Sequence, residues 1–149
     1  MESIRRILVT IDFSEQAERV VALGLALAKA CGARLYLLHV VHDLQSFPGV
    51  FVVHERLQDL QARLEAEARD RLETFVHERM HGFANTEIRL VTGSPAAQIL
   101  QTAHAIPVDL ILLGVHVEGK PEHRLLGDTV ARVLRQAPCP VTIVPPVRA

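Results

Sequence analysis

The alternation of short aliphatic runs with segments of helical periodicity constrains the fold of this chain more than any other feature. Hydrophobic residues make up 49% of the sequence and aromatic residues only 4%, so the core must be built from Val, Leu, Ile and Ala. Such strands suit a parallel sheet that is buried on both faces and joined by right-handed helical crossovers. The 149 residues are enough for one such domain, which we expect to span 1–149. The predicted strands are residues 4–11, 35–41, 88–91, 110–113 and 141–144.

The segments between these strands carry recognisable helix boundaries. We expect Ser14 to cap the first helix, which ends at Gly32. Ser94 followed by Pro95 fits the cap and first turn of the third helix, and residues 129–135 belong to the fourth. The second helix follows a loop over residues 42–53. Its apolar stripe is predicted at Leu57, Leu60, Leu64, Ala68, Leu72 and Phe75.

Charge and composition exclude several classes of protein. The formal net charge of -1 gives no general attraction to nucleic acid or to an anionic membrane. No run approaches the roughly 18 apolar residues of a membrane span, and the N-terminus lacks a signal-peptide core. Cys31 and Cys139 have no metal-ligand spacing, and we interpret both as small buried apolar side chains in a reducing compartment. We therefore expect a cytoplasmic protein with no nucleic-acid partner and no membrane insertion.

The clearest sign of a binding site lies between residues 109 and 146. This segment is predicted to contain a buried strand, a loop, an amphipathic helix and a second buried strand, and Gly114 and Gly127 bracket the loop. In a parallel sheet, a glycine loop that runs from the carboxyl end of a strand into a helix is where backbone N–H groups converge on an anion. The sequence therefore predicts a possible phosphate site here.

The glycine spacing resembles the signature of the universal stress protein family, which is G-x-x-G, nine residues, then Gly followed by Ser or Thr. Gly114 and Gly127 match its first and last glycines, and the nine-residue spacer at 118–126 is intact. Three other segments are also similar to the family, so the resemblance covers nearly the whole chain. They read IRRILVTIDFSEQAERVVALGLALA, ARLYLLHVV and VTGSPAAQILQTAHAIPVDLILLG.

The resemblance implies a fold, a ligand and a partner. The fold would be a doubly wound, five-stranded parallel sheet of order 3-2-1-4-5 with helices on both faces, of the adenine-nucleotide alpha-hydrolase-like type. In ATP-binding members, the position of Asp12 meets the adenosine, that of Val40 contacts the adenine, and the glycine loop wraps the ribose and phosphates. ATP with Mg²⁺, or AMP, is thus the implied ligand. The resemblance also implies a homodimer formed through the fifth strand, 141–144, whose aliphatic edge would otherwise expose unpaired backbone groups.

Two positions depart from the family signature. Val117 stands where the second glycine belongs, and a β-branched residue adds bulk and resists the backbone conformation that glycine adopts. Asp128 stands where the hydroxyl residue belongs, with Thr129 one place later. Its carboxylate is expected to cap the fourth helix and to place a negative charge where a phosphate would bind. These departures predict weak or lost triphosphate binding.

Each remaining candidate has a plainer interpretation. Asp12 can form an Asx turn between strand and helix as well as contact a nucleotide, and Val40 would look the same as a core residue. His77 and His81 have the i, i+4 spacing of two metal ligands but no identifiable third ligand, so we predict no metal site. His39 interrupts a strand, and we interpret it as a hydrogen-bonded structural histidine.

Two functions follow from these observations. The first is a non-catalytic, dimeric stress-response module that acts on an unidentified protein partner and has weak or lost ATP binding. The alternative is a switch that binds ATP, ADP or AMP at the positions named above and hydrolyses ATP slowly at most. The residues at positions 117 and 128 favour the first.

Overall fold

A computed structural model describes residues 3–46, 54–115 and 127–145 of the chain. Strands and helices alternate along it, as the sequence predicts. In chain order they are β1 (Arg6–Thr10), α1 (Ala17–Cys31), β2 (Arg34–Val41), a single 3₁₀ turn (Leu44–Ser46), α2 (His54–Arg79), β3 (Thr86–Thr92), α3 (Pro95–Ala105), β4 (Leu110–Gly114), α4 (Asp128–Gln136) and β5 (Val141–Val144).

The five strands form one parallel sheet of order β3-β2-β1-β4-β5, which confirms the predicted topology. The strand order reverses at β1, which lies between β2 and β4. In register, Thr10 pairs with Leu38 of β2, and Val9 pairs with Leu112 of β4. The carboxyl ends of β1 and β4 therefore meet at one edge of the sheet, at the switch point where such folds bind ligands.

An aliphatic core covers each face of the sheet. Alternate residues of β1 face opposite sides: Ile7 and Val9 pack on one face with α1 and α2, and Leu8 packs on the other with α3 and α4. All three side chains are fully buried. Each face thus removes a continuous aliphatic surface from water, which is the main force that holds helices to both sides.

The beginning of α1 differs from the sequence prediction. The helix starts at Ala17, with Gln16 at the capping position and no side-chain capping hydrogen bond, so Ser14 is not the cap. Ser14 instead lies in the turn before the helix, where its carbonyl accepts the N–H of Ala17 at 3.0 Å. The predicted end of the helix is confirmed, since Gly32 adopts a left-handed conformation with φ of 66°.

The other helices follow the predicted pattern with two corrections. Ser94 precedes Pro95 at the capping position of α3 as expected, although its side chain makes no capping hydrogen bond. In α2, Leu57 and Leu72 are buried, but Leu60 is 40% exposed and lies outside the buried stripe. Among the residues that the structure describes, no helix is long and apolar enough to cross a membrane.

The two edges of the sheet differ in chemistry. At the β3 edge, Arg89 Nε lies 2.9 Å from a carboxylate oxygen of Glu87, and Arg34 of β2 lies 3.9 Å from the other. The β5 edge, VTIV, is aliphatic apart from Thr142, and its first three residues are half-buried. Charged side chains discourage edge-to-edge pairing, so the β3 edge is protected, whereas the strand β5 itself carries no charged side chain.

Candidate functional site

The β1–α1 turn carries the first candidate residue, Asp12. Its side chain is exposed, and Oδ1 accepts a hydrogen bond from the N–H of Ser14 at 2.9 Å. This is the Asx turn that the sequence allowed as the plainer interpretation. The turn fixes Asp12 at the carboxyl end of β1 and leaves its side chain exposed to solvent. Asp12 can therefore form the Asx turn and still contact a nucleotide.

Phe13, the next residue, has an unusual backbone for its type. Its φ of 59° lies in the left-handed region, which a bulky side chain seldom adopts and which costs about 1–3 kcal/mol. Its ring centroid lies 4.5 Å from that of His39 and 6.2 Å from that of Phe75. The guanidinium carbon of Arg71 lies 4.4 Å from the same ring centroid. Packing from β2 and α2 therefore holds the turn in a strained conformation.

His39 joins β2 to the end of β1. Its Nδ1 lies 2.6 Å from the carbonyl oxygen of Ile11, and because a carbonyl only accepts, Nδ1 carries the hydrogen. Burial lowers the pKa of His39 below its usual value, against the raising effects of this hydrogen bond and of Asp12. The prediction of a hydrogen-bonded structural histidine is confirmed.

Val40 is the penultimate residue of β2 and Gly114 is the last residue of β4, the strands on either side of β1. Val40 is half-buried and packs against the core on the α3 and α4 face. Gly114 follows the Val9–Leu112 pair by two residues, which brings it level with the end of β1. A Cβ on Gly114 would stand 3.0 Å from Cγ2 of Val20, so this glycine also permits α1 to approach β4 closely.

The start of α4 corrects one prediction about Asp128. The capping residue is Gly127, and Asp128 is the first residue of the helix and its only first-turn acid. Asp128 is exposed, and Thr129 is half-buried one residue later. A Cβ on Gly127 would meet nothing within 4 Å, and its φ of -60° suits any residue. The remaining candidate, Val117, lies outside the described residues, as does the spacer 118–126.

A separate open cleft of about 740 Å³ lies between α1 and α2. Phe13 and Ser14 line one end of it, next to Asp12. Arg79 crosses the cleft from α2 to pair with Glu18 of α1, and it also pairs with Glu78 at 2.8 Å. The guanidinium of Arg79 stacks on Phe75, 4.5 Å from the ring centroid. The Arg79–Glu18 pair connects α2 to α1, and Phe75 connects α2 to Phe13 of the turn that carries the candidate site.

Sequence reasoning missed the residues that shape this turn. Phe13 gives no sign in the sequence of a left-handed backbone, and Arg71 lies about 60 positions away, so no local pattern pairs them. Gln16 was also missed: its side chain is 9% exposed, and its Oε1 finds no hydrogen-bond partner among the described residues. The Oγ of Ser14 is also buried and has no hydrogen-bond partner among the described residues.

The cysteines and histidines outside the turn have ordinary surroundings. Cys31 is exposed at the end of α1, which contradicts the prediction that it is buried, and Cys139 is half-buried. Cys31 is exposed because it lies beyond Ala28, the last buried residue of α1. His77 and His81 are exposed, and no group of three or more possible metal ligands occurs within the described part of the chain.

Comparison with known proteins places this architecture in one family. The sequence model of the universal stress protein family matches residues 3–145. A universal stress protein from Thermus aquaticus, whose gene lies 3′ of a sulfhydrylase gene, is 33% identical over 140 residues, covering 94% of this chain and 98% of that protein.

Solved structures agree with this assignment. The universal stress protein UspA from Lactobacillus plantarum is 27% identical, with a TM-score of 0.79 and coverage of 97% of this chain and 99% of that one. A universal stress protein from Archaeoglobus fulgidus, solved in complex with dAMP, shares the fold at 21% identity with a TM-score of 0.65, covering 93% of this chain and 96% of that one. The chain belongs to the universal stress protein family.

Proposed function

We propose that this protein is a non-catalytic, homodimeric regulatory module that binds ATP weakly or not at all and acts on a protein partner. The observation that carries the proposal is the exposed carboxylate of Asp128 in the first turn of α4. The N–H groups of a helix N-terminus, together with the helix dipole, attract a phosphate. In this chain the protein's own negative charge lies beside them.

The size of this effect decides between ATP and a ligand with fewer charges. A phosphate charge about 4 Å from the Asp128 carboxylate meets a repulsion of roughly 4 kcal/mol at an effective dielectric of about 20. Since about 1.4 kcal/mol is a factor of ten in affinity, each such charge pair weakens binding by roughly a thousandfold. Triphosphate, which carries the most charge, suffers most.

Calorimetric titration with ATP, ADP and AMP in the presence of Mg²⁺ tests this proposal. The variants are Asp128→Asn, which removes the charge at nearly constant shape, Asp128→Ser, and the double variant Val117→Gly, Asp128→Ser. Glu73→Gln on α2 is the control for loss of one exposed carboxylate elsewhere. We expect no ATP binding by the native protein and measurable binding by the double variant. Tight ATP binding by the native protein would overturn the proposal.

The same samples test the absence of catalysis. Release of inorganic phosphate from ATP is followed for the native protein and for the double variant. We expect the native protein to match a buffer blank. ATP turnover that depends on protein concentration and is lost in Asp12→Ala would show that the site is catalytic.

A second candidate function is a switch that binds an adenosine monophosphate. It is favoured by the exposed Asp12 side chain and by the half-buried Val40, which occupy the positions that meet adenosine in ATP-binding members. Neither contact depends on the phosphates. The dAMP complex of the Archaeoglobus fulgidus protein supports the capacity of this fold to hold such a ligand. Nucleotide released from the purified protein by denaturation, identified by mass spectrometry, would favour this candidate.

The homodimer is proposed to form through the free edge of β5. The carbonyls of Pro140 and Val144 accept hydrogen bonds from the N–H groups of Ile111 and Val115, at 3.0 and 3.1 Å. Backbone groups of alternate residues in a strand point to the same side. Those of Pro140 and Val144 point toward β4, so those of Val141 and Ile143 point to the side away from β4. Leu134 of α4 adds a side chain that is 44% exposed on the helix preceding β5.

A pair of substitutions at Ile143 tests the interface. Ile143→Pro removes an outward-facing N–H and leaves the bonds to β4, whereas Ile143→Ala shortens the side chain and retains the N–H. We expect a dimer for the alanine variant and a monomer or aggregate for the proline variant, measured by light scattering. A dimer that survives the proline would rule out this edge.

A further inference from the structure

His39 makes an unusual connection at the end of β1. The backbone ladder between β1 and β2 continues to the bond from Ile11 N–H to the carbonyl of Leu38, 2.8 Å long. Beyond that bond, the carbonyl of Ile11 accepts the Nδ1–H of His39 at 2.6 Å. A side chain of β2 therefore fixes the orientation of the peptide group that joins Ile11 to Asp12.

The same imidazole contacts the residue on the other side of Asp12. The ring of Phe13 lies against it, with centroids 4.5 Å apart and planes tilted by 51°. Phe13 has the left-handed φ of 59°, a conformation that persists only when neighbouring groups hold it in place. His39 thus contacts the residues immediately before and after Asp12.

We infer that His39 is a positioning residue for Asp12: it holds the Ile11 carbonyl and the Phe13 ring, and so fixes the Asp12 carboxylate toward a ligand at the carboxyl edge of the sheet. The ligand class is the adenosine monophosphate of the second candidate function, on which this inference rests. The Asx turn is the third restraint, because the N–H of Ser14 holds Oδ1 of Asp12 at 2.9 Å.

Burial favours a neutral imidazole at His39, and the charged groups around the ring act in both directions. Arg71 from α2 and His42 from the segment after β2 both oppose a positive charge on it, whereas Asp12 from the β1–α1 turn favours one. Burial, the largest effect, also lowers the pKa of His39. Protonation would place a second cation on the Phe13 ring already contacted by Arg71, 4.4 Å from its centroid.

Two substitutions separate the hydrogen bond from simple packing. His39→Asn keeps an N–H donor near the position of Nδ1, and His39→Leu fills similar space without a donor. Leu100→Ala, on the opposite face in α3, is the control for loss of stability, since Leu100 is 6% exposed and packs in the core of that other face. Folding of each variant is checked by thermal unfolding before any titration.

Calorimetric titration with AMP measures the functional consequence. We expect His39→Leu to weaken binding about tenfold, the usual size of coupling between neighbouring residues. His39→Asn should restore most of that loss, and Leu100→Ala should leave the affinity unchanged. In an Asp12→Ala background, His39→Leu should have no further effect. An equal tenfold loss in that background would show that His39 does not act through Asp12.

Nuclear magnetic resonance of the ligand-free protein separates this inference from the proposed function. We expect the Nδ1–H tautomer at His39, and displaced amide signals for residues 12–14 in His39→Leu but not in His39→Asn. An Nε2–H tautomer, or unchanged amides in both variants, would overturn the inference even if AMP binds. If the native protein binds no AMP while these spectral changes occur, the nucleotide function fails and the positioning of Asp12 by His39 stands.

Discussion

Gly114 of β4 lies directly against Val20 of α1, and a Cβ on Gly114 would stand 3.0 Å from Cγ2 of Val20. We expect Gly114→Ala to destabilise the protein by about 1–3 kcal/mol, because the methyl group overpacks this contact. Val20→Ala should create room for it, so the double variant should lose less stability than the two single losses added together. Urea unfolding of the three variants measures this. Strict additivity would show that the contact is not the reason for the glycine.

The pH dependence of stability should carry a contribution from His39. Its pKa in the folded protein is lowered from the ordinary value of 6.5, so the unfolded chain takes up a proton first as pH falls. The stabilisation is therefore complete above about pH 6.5 and is lost as the pH falls through the lowered folded value.

Urea midpoints measured between about pH 8 and pH 5 test this prediction. The decline on acidification should be smaller in His39→Asn, which cannot titrate in this range. All other residues are the same in the two proteins, so the difference between the two curves isolates His39. Parallel curves for the two proteins would contradict the lowered pKa.

The two cysteines should differ in reactivity. Cys31 is exposed, whereas Cys139 is half-buried and its thiol has a pKa raised by burial and, to a smaller extent, by Asp109. Because the thiolate is the reactive form, Cys31 should react with iodoacetamide first. Peptide mass spectrometry over time assigns the label to each site. With Cys31→Ser, only slow labelling should remain, and fast labelling of Cys139 would be inconsistent with its burial.

Asp109 should contribute to stability through the start of β1. One of its carboxylate oxygens, Oδ2, accepts the N–H groups of Arg5 and Arg6 at 2.8 and 2.9 Å. Asp109→Ala removes both acceptor bonds and should cost about 1–2 kcal/mol in the free energy of unfolding. Asp109→Asn retains an acceptor oxygen and should cost less. The urea midpoints of the two variants distinguish them, and equal losses would assign the effect to charge alone.

The five strands and their parallel pairing were predictable, because short aliphatic runs alternate with crossovers of helical periodicity. The family resemblance supplied the order β3-β2-β1-β4-β5, which periodicity alone does not determine. The end of α1 was also predictable, since Gly32 supplies a left-handed terminus that other residues reach at a cost.

The details of the candidate site were less accessible from sequence. Ser14 has the right residue type for a helix cap, but the Asx turn at Asp12 and the left-handed Phe13 delay the helix to Ala17. The Asx turn is a local contact between Asp12 and Ser14, but Phe13 is held by His39 and Arg71, which are distant in sequence. Tertiary packing overrode local propensity here. Similarly, Gly114 looked like a phosphate-loop glycine, whereas the structure adds a packing requirement that no motif expresses.

The unequal edges of the sheet bear on how many copies can associate. Glu87 and Arg89 place charges along β3, whereas Val141 and Ile143 leave β5 aliphatic and open. A subunit with two open edges can add neighbours on both sides and grow into a fibre. Because the β3 edge carries charges, the proposed pairing through β5 would occupy the one edge strand that has no charged side chain among the described residues. In the homodimer proposed above, growth would stop at two copies, because the charged β3 edge disfavours the addition of a further subunit.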